Sequence, residues 1–248
     1  PSRGLGDVYK RQMLVRFDIL TLFPKMIEGI INESILKRAI EKGLIEIHII
    51  NFRTYSTNKH QTVDDYAYGG GAGMLISVEP IHLAMKDIPH IDDAYKIVMS
   101  PSGTVYSQKK AEMLATKNHI VIICGHYEGI DNRILNYVDE EISIGDYVLT
   151  GGEIPACALV DSIARLIPGV INDASIGGES FTMGLLEYPQ YTRPPVYEGR
   201  GVPDVLLSGH HANIRKWQRK EALKKTYFIR PDLLKQIELS SDDLKLLE

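Results

Sequence analysis

The sequence predicts an α/β fold, a mostly parallel sheet covered by helices, followed by a small all-helical C-terminal domain. Three observations carry this expectation. Short apolar runs alternate with amphipathic helical runs from residue 14 to residue 144. A helix with an unbroken apolar stripe begins around Pro155. After Ile171 the pattern gives way to an irregular stretch and then to basic helical sequence.

Taken in order, residues 14–23 (LVRFDILTLF) partly alternate apolar with polar, as a strand does. Pro24 opens a helical stretch to about Lys42, closed by Gly43, with Ile27, Ile30, Ile31, Ile35 and Ala39 on its apolar face. Residues 45–52 (IEIHIINF) form a second strand, which completes a βαβ unit. The pattern resumes with a strand at 96–99, a helix at 107–117, a strand at 120–124, a short helix at 130–138 and a strand at 141–144. In the helix after Pro155, residues Ala156, Leu159, Val160, Ile163, Ala164 and Ile167 recur at helical spacing and make a core stripe. Arg165 lies off that stripe, and Pro168-Gly169 ends the helix.

Residues 172–203 carry Gly, Pro, Ser, Thr and Tyr without sustained periodicity, which marks a linker, a lid or a functional loop. Tyr188, Tyr191, Tyr197 and Phe181 argue against a mere tether. Beyond it, 208–225 and 232–247 read as helices. The domain organisation expected is therefore an α/β body over 13–171, a linker or lid over 172–203 and a helical domain over 204–248. Residues 1–12 (PSRGLGDVYKRQ) share no pattern with the rest of the chain and read as a non-native or read-through appendage.

Composition narrows the function classes. With 248 residues and 44% hydrophobic content the chain buries a sizeable core. Its net charge of −4 means that any nucleic-acid contact comes from a local patch. The two cysteines, Cys124 and Cys157, lack metal-type spacing and suggest a reducing compartment, hence the cytoplasm. No apolar run approaches the roughly 18 residues of a membrane span.

The stretch 125–155 (GHYEGIDNRILNYVDEEISIGDYVLTGGEIP) is the most informative about function. It comes directly after an apolar strand run and brings Gly125, Gly129, Gly145, Gly151 and Gly152 to either side of one short helix. Glycines in that setting let backbone approach something closely, and two such loops point to a small molecule held by main-chain groups. Other motifs carry less. The run Gly69–Gly73 comes after no strand and opens no helix, so the dinucleotide fingerprint fails its context. There is no Gly-Lys-Ser/Thr loop and no G-x-S-x-G elbow. Among the eight histidines, His48 and His119 sit in strand runs as structural residues, and the pair His210-His211 opens a helix, suited to capping it or meeting a phosphate.

The C-terminal helices hold the charge that the total conceals. Arg215, Lys216, Arg219 and Lys220, with Lys224, Lys225 and Arg230 after them, surround the single tryptophan, Trp217. Such a cluster fits contact with a nucleic-acid backbone, with Trp217 either packed or stacked on a base.

At this point the chain resembles a known family. The motifs are Gly125-x-Tyr-Glu-Gly129 with Asp131 and Arg133, and Ser143-Ile-Gly-Asp-Tyr-Val-Leu-Thr-Gly-Gly-Glu153. To these are added Tyr68-Gly-Gly-Gly-Ala-Gly-Met74, Ser100-Pro101, Arg165-x-Ile-Pro-Gly169, Ser180-Phe181, Gly184-Leu-Leu, Tyr191-Thr-Arg-Pro194 and Leu206-Leu-Ser-Gly-His210. In series from Met13 onward, they resemble the bacterial tRNA (guanine-N1)-methyltransferase family, TrmD. The resemblance implies that 13–171 is a SPOUT-type methyltransferase domain with a deep trefoil knot, an exception to the rule that chains do not thread. It also implies a homodimer, S-adenosylmethionine as cofactor and, as target, the guanine 3′ of the tRNA anticodon. Neither a membrane nor DNA is implied as a partner. The family is associated with magnesium, but no residue cluster here identifies a metal site.

By the same matching, cofactor contacts fall on Met99 and Ser100, on Gly125, Tyr127 and Glu128, on Ile144, Gly145, Asp146, Tyr147, Val148 and Leu149, and on Gly151, Gly152 and Pro155. Contacts to tRNA fall on Arg193, His210, Arg215, Lys216, Arg219 and Lys220. Guanine N1 carries a proton, so methylation there needs a base, and the charge that builds on O6 needs a cation. Arg165 matches the family's charge-stabilising arginine and Glu179 its general base. The commonest pattern has aspartate in that place. The extra methylene of Glu179 moves the carboxylate by about 1.5 Å unless the loop compensates. Two other readings are a related knotted RNA methyltransferase with another target atom and a catalytically silent RNA-binding homologue.

Overall fold

The computed structural model describes residues 14–172, 180–181 and 184–247, and the chain divides between Ile171 and Asn172 into two compact units. The first is built on five strands: β1 (Val15–Thr21), β2 (Ile45–Asn51), β5 (Tyr95–Val105), β6 (His119–Cys124) and β7 (Glu140–Ser143). Two short strands, β3 (Asp64–Asp65) and β4 (Leu75–Ile76), pair separately as an antiparallel ribbon. The large sheet runs β2-β1-β6-β5-β7, and every pairing in it is parallel. All its carboxyl ends therefore open along one edge.

Successive strand residues point to opposite faces, and here both faces are covered. Phe17, Ile19, Ile120 and Ile122 pack on α1 (Pro24–Ile31), α2 (Ser34–Glu41), α4 (Gln108–Leu114) and α5 (Glu153–Ala164). Leu20, Val98, Val121 and Ile123 pack on the other side, against Phe52 and α3 (Val78–Lys86). Burial on both faces explains why β6 reads as a continuous apolar run. The stripe of α5 is buried as its spacing predicts: Ala156, Leu159, Val160, Ile163 and Ala164 are inaccessible to solvent. Each fully buried Leu, Val or Ile stabilises by about 1.5–3 kcal/mol.

The parallel α/β architecture agrees with the expectation from sequence, while several elements differ in detail. The helical stretch from Pro24 is two helices, because the chain breaks at Asn32–Glu33 and Ser34 takes a left-handed φ of 53°. The break resets the phase, so Leu36 rather than Ile35 enters the core and Ile30 stays 44% exposed. Helix α3 is an addition. Its signals are Ser77 before it, Pro80 in its first turn and the buried Ile81, Ala84 and Met85.

The second unit contains a hairpin of β8 (Val196–Tyr197) and β9 (Arg200–Gly201), then α6 (Asp204–Leu207), α7 (His211–Ile229), α8 (Pro231–Leu234) and α9 (Ser241–Leu247). The last two replace a single expected helix. Ser240 and Asp243 bond reciprocally, amide to side chain, each at 3.1 Å, a capping box that starts a new helix. A small core gathers Leu185, Ala222 and Leu223 with Tyr188, Ile237 and Leu246 around them.

Asp18, wholly buried in β1, accepts two bonds from Arg16 at 2.7 and 2.9 Å and faces His119 Nε2 at 2.5 Å. That hydrogen bond to Asp18 holds the Arg16 guanidinium above its ordinary pKa. Asp18→Ala leaves the arginine and histidine without their shared anion and is expected to cost about 3 kcal/mol in urea unfolding with unchanged m. A loss below about 0.5 kcal/mol would show that the cluster adds nothing.

Candidate functional site

A cavity of about 370 Å³ opens at the carboxyl ends of β5, β6 and β7. That is the edge where parallel sheets hold ligands, and the volume suits a small organic molecule. Each wall comes from a departure from regular structure. In β5 the register to β7 shifts between Met99 and Thr104, so residues 100–103 bulge out and Ser100, Pro101 and Ser102 reach the cavity. Gly103 permits the return of the chain, since a Cβ there would lie 2.5 Å from the Glu141 carbonyl carbon. After β6 the chain turns through Gly125, Tyr127 (φ 59°) and Gly129 (φ 123°) into a 3-10 turn, Asn132–Tyr137. Asp131 caps that turn by accepting the Arg133 amide at 2.9 Å, and the Arg133 side chain folds back on it and holds the Asp131 carboxyl below its ordinary pKa.

The third wall is the approach to α5. Gly152 packs so closely on β6 that a Cβ would stand 2.7 Å from Cys124 Cα and 2.9 Å from the Gly125 nitrogen. Its amide donates to the Gly125 carbonyl at 2.9 Å, and Gly151 bridges to His126 in antiparallel fashion. The two glycine loops are thus joined backbone to backbone. Burial pushes the Cys124 thiol well above its ordinary pKa and that of Cys157 up to about 11. Neither is primed as a nucleophile at neutral pH.

Of the residues expected at a cofactor, Met99, Ser100, Gly125, Tyr127, Glu128, Ile144, Tyr147, Val148, Leu149, Gly151, Gly152 and Pro155 line this cavity. Gly145 and Asp146 do not. Gly145 (φ 151°) makes the turn after β7, held by the Ser143 hydroxyl, and Asp146 is exposed. Pro101, Ser102, His126, Ile130, Leu135 and Thr150 also line it. The bulge that delivers Pro101 and Ser102 leaves no periodic mark in the sequence, whereas Leu135 lies in the 3-10 turn, within the short helix expected at 130–138. Glu128 presents an exposed acid on the wall, its side chain beside Gly73. Arg165 caps the C-terminus of α5 and is half-buried. Glu179 lies outside the described residues. Among the described residues no group of three or more His, Cys, Asp or Glu is gathered as for a metal ion.

In the second unit the basic residues separate into two kinds. Arg193, Arg215 and Lys216 are exposed, and Lys220 is half-buried. Arg219 instead commits its guanidinium to Asp243 with bonds of 2.8 and 2.9 Å, which hold the Asp243 carboxyl far below its ordinary pKa and tie α7 to α9. His210 caps α7, its Nδ1 accepting the Asn213 amide at 3.4 Å. Trp217 is half-buried, with its ring centroid 6.4 Å from that of Tyr191.

A parallel α/β unit with a glycine-walled cavity at its strand ends is the framework of an enzyme. The family comes from comparison with known proteins. The profile described as tRNA (Guanine-1)-methyltransferase TrmD matches residues 15–236, and the chain belongs to that family of methyltransferases. It is 54% identical over 236 residues to a protein of Dictyoglomus turgidum named tRNA (guanine-N(1)-)-methyltransferase, covering 95% of this chain and 96% of that one. Proteins of the same name from Staphylococcus epidermidis and Clostridium novyi are each 54% identical, over 94% and 95% of this chain and 96% and 98% of theirs.

Because Gly152 faces backbone that cannot swing aside, Gly152→Ala is expected to destabilise the protein by about 1–3 kcal/mol. Gly29→Ala, in α1 with open space around it, is expected to stabilise by up to about 1 kcal/mol. Equilibrium unfolding of the two variants separates them, and equal tolerance at both positions would contradict the close-approach account.

Proposed function

We propose that this chain transfers the methyl group of S-adenosylmethionine to N1 of the guanine 3′ of the tRNA anticodon. One observation carries the proposal: in a chain of this family, a cavity of about 370 Å³ opens at the strand ends between the two glycine-bearing loops. The residues present fit the cofactor. The cavity between the loops at 125–129 and 144–152 has the size for an adenosine, and the acid of Glu128 on its wall has the sign that favours a sulfonium. Bound there, S-adenosylmethionine would supply an electrophilic methyl group.

The protein's own part is to make guanine N1 nucleophilic. The Glu179 carboxylate takes the N1 proton, and the Arg165 guanidinium balances the charge that develops on O6. The SPOUT knot belongs to the same proposal, with the loops 125–129 and 144–152 as its ligand-bearing parts. So does a homodimer, for which the exposed Tyr127, Tyr147, Val148 and Leu149 offer apolar surface. The helical domain over 204–248 would hold the tRNA through His210, Arg215, Lys216 and Lys220, together with Arg193 ahead of it and with Arg219 keeping α7 in place. Work on tRNA sets the enzyme in the cytoplasm, and among the described residues no helix is long and apolar enough to cross a membrane.

Two measurements test these roles. Glu179→Gln is expected to lower kcat about 10²–10⁴-fold, and Arg165→Ala about 10²-fold, with cofactor affinity kept. Near-normal turnover in Glu179→Gln, with turnover abolished instead by Asp173→Asn or Glu187→Gln, would remove Glu179 from the base position. Arg215→Ala and Lys216→Ala are each expected to weaken tRNA binding and to reduce the salt slope of log K by about 1. An unchanged slope would place the phosphate contacts elsewhere.

A further inference from the structure

Glu153 opens α5 with a side chain only 1% exposed, at the seam between the two glycine loops. Its Oε1 accepts the hydroxyl of Thr21, at 2.6 Å, across 132 residues of sequence. Thr21 is buried at the end of β1, and its oxygen in turn accepts the Phe23 amide at 2.8 Å. The other carboxylate oxygen, Oε2, lies 3.1 Å from His126 Nε2, yet neither atom makes a hydrogen bond of good geometry. Two buried polar atoms left in that state are costly. At 3.1 Å, a small turn of the imidazole would bring them into a hydrogen bond through one proton. The ring is steadied by Phe23, centroid to centroid 4.5 Å.

Gly151 closes over the pair. A Cβ there would overlap His126 Nε2 and stand 2.5 Å from Glu153 Oε2. The carboxylate thus touches β1 through Thr21, the loop after β6 through His126, and the turn before α5 through Gly151. His126 and Gly151 line the cavity, whereas Glu153 does not.

We propose that Thr21, Glu153 and His126 form a clamp holding the two glycine loops in register, with Glu153 a positioning residue that acts on the cofactor site through His126 and Gly151. The positioning claim rests on the S-adenosylmethionine reading above; the clamp itself does not.

The test uses the full chain with Glu153→Gln, His126→Asn, the double variant and Thr21→Val. In the protein without ligand, hydrogen exchange of peptides covering 125–129 and 147–152 is expected to quicken about tenfold in Glu153→Gln, while peptides of β1, β2 and β5 keep their protection. The dissociation constant for S-adenosylmethionine, by calorimetry, is expected to rise about tenfold, with kcat at saturating cofactor within about threefold of the parent. The double variant should be no worse than the worse single one, since both changes break one contact. Loop exchange and affinity within about twofold of the parent in both single variants would overturn the clamp, as would exchange that quickens evenly across the sheet. Should Glu153→Gln fail to fold, Thr21→Val, which keeps the carboxylate, carries the same two readouts. Failure of the unaltered protein to bind S-adenosylmethionine would overturn the cofactor reading and the positioning role together, and leave the clamp to be judged on loop exchange alone.

Discussion

The first unit depends on the contact between the turn that opens α5 and the end of β6. Among the described helices α5 buries the largest share of its residues, and its approach to β6 leaves no room for a side chain at residue 152, which would strike Cys124. That approach sets the height of the Gly151-Gly152 turn above the strand ends, and so one wall of the cavity. The parallel sheet supplies the rest, because it delivers the ends of β5, β6 and β7 to the same edge. The bulge at 100–103 and the turn at 125–129 then close the other sides.

This arrangement divides the labour. In the proposal the pocket between the glycine loops holds the cofactor and presents its methyl group. Buried thiols with raised pKa values add no nucleophile. Proton removal and charge balance at guanine fall in the proposal to Arg165, which caps the far end of α5, and to Glu179.

Much of this is legible in the sequence, and the remainder is hidden for physical reasons. The stripe of α5 and the apolar run of β6 are periodic signals from local burial, and both elements form where that spacing puts them. Clustered glycines tell of a close approach but not of what is approached, since the partner of Gly152 is a residue of β6 brought near by the fold. The break between α1 and α2 is hidden because Ile27, Ile30, Ile31, Ile35 and Ala39 fit the stripe of one long helix. Long-range pairings are invisible for a similar reason: Thr21 with Glu153, and Arg219 with Asp243, join residues that no spacing rule connects. The basic cluster on α7 is legible as charge, yet the sequence does not say that one of its arginines is spent inside its own unit.

The most direct test is the identity of the product. Purified protein, S-adenosylmethionine carrying a labelled methyl group and a tRNA transcript with guanine 3′ of the anticodon should yield, after digestion to nucleosides, labelled N1-methylguanosine from that position alone. A transcript with adenine in its place should take up no label. Label on a ribose, on another base, or equally on both transcripts would contradict the account.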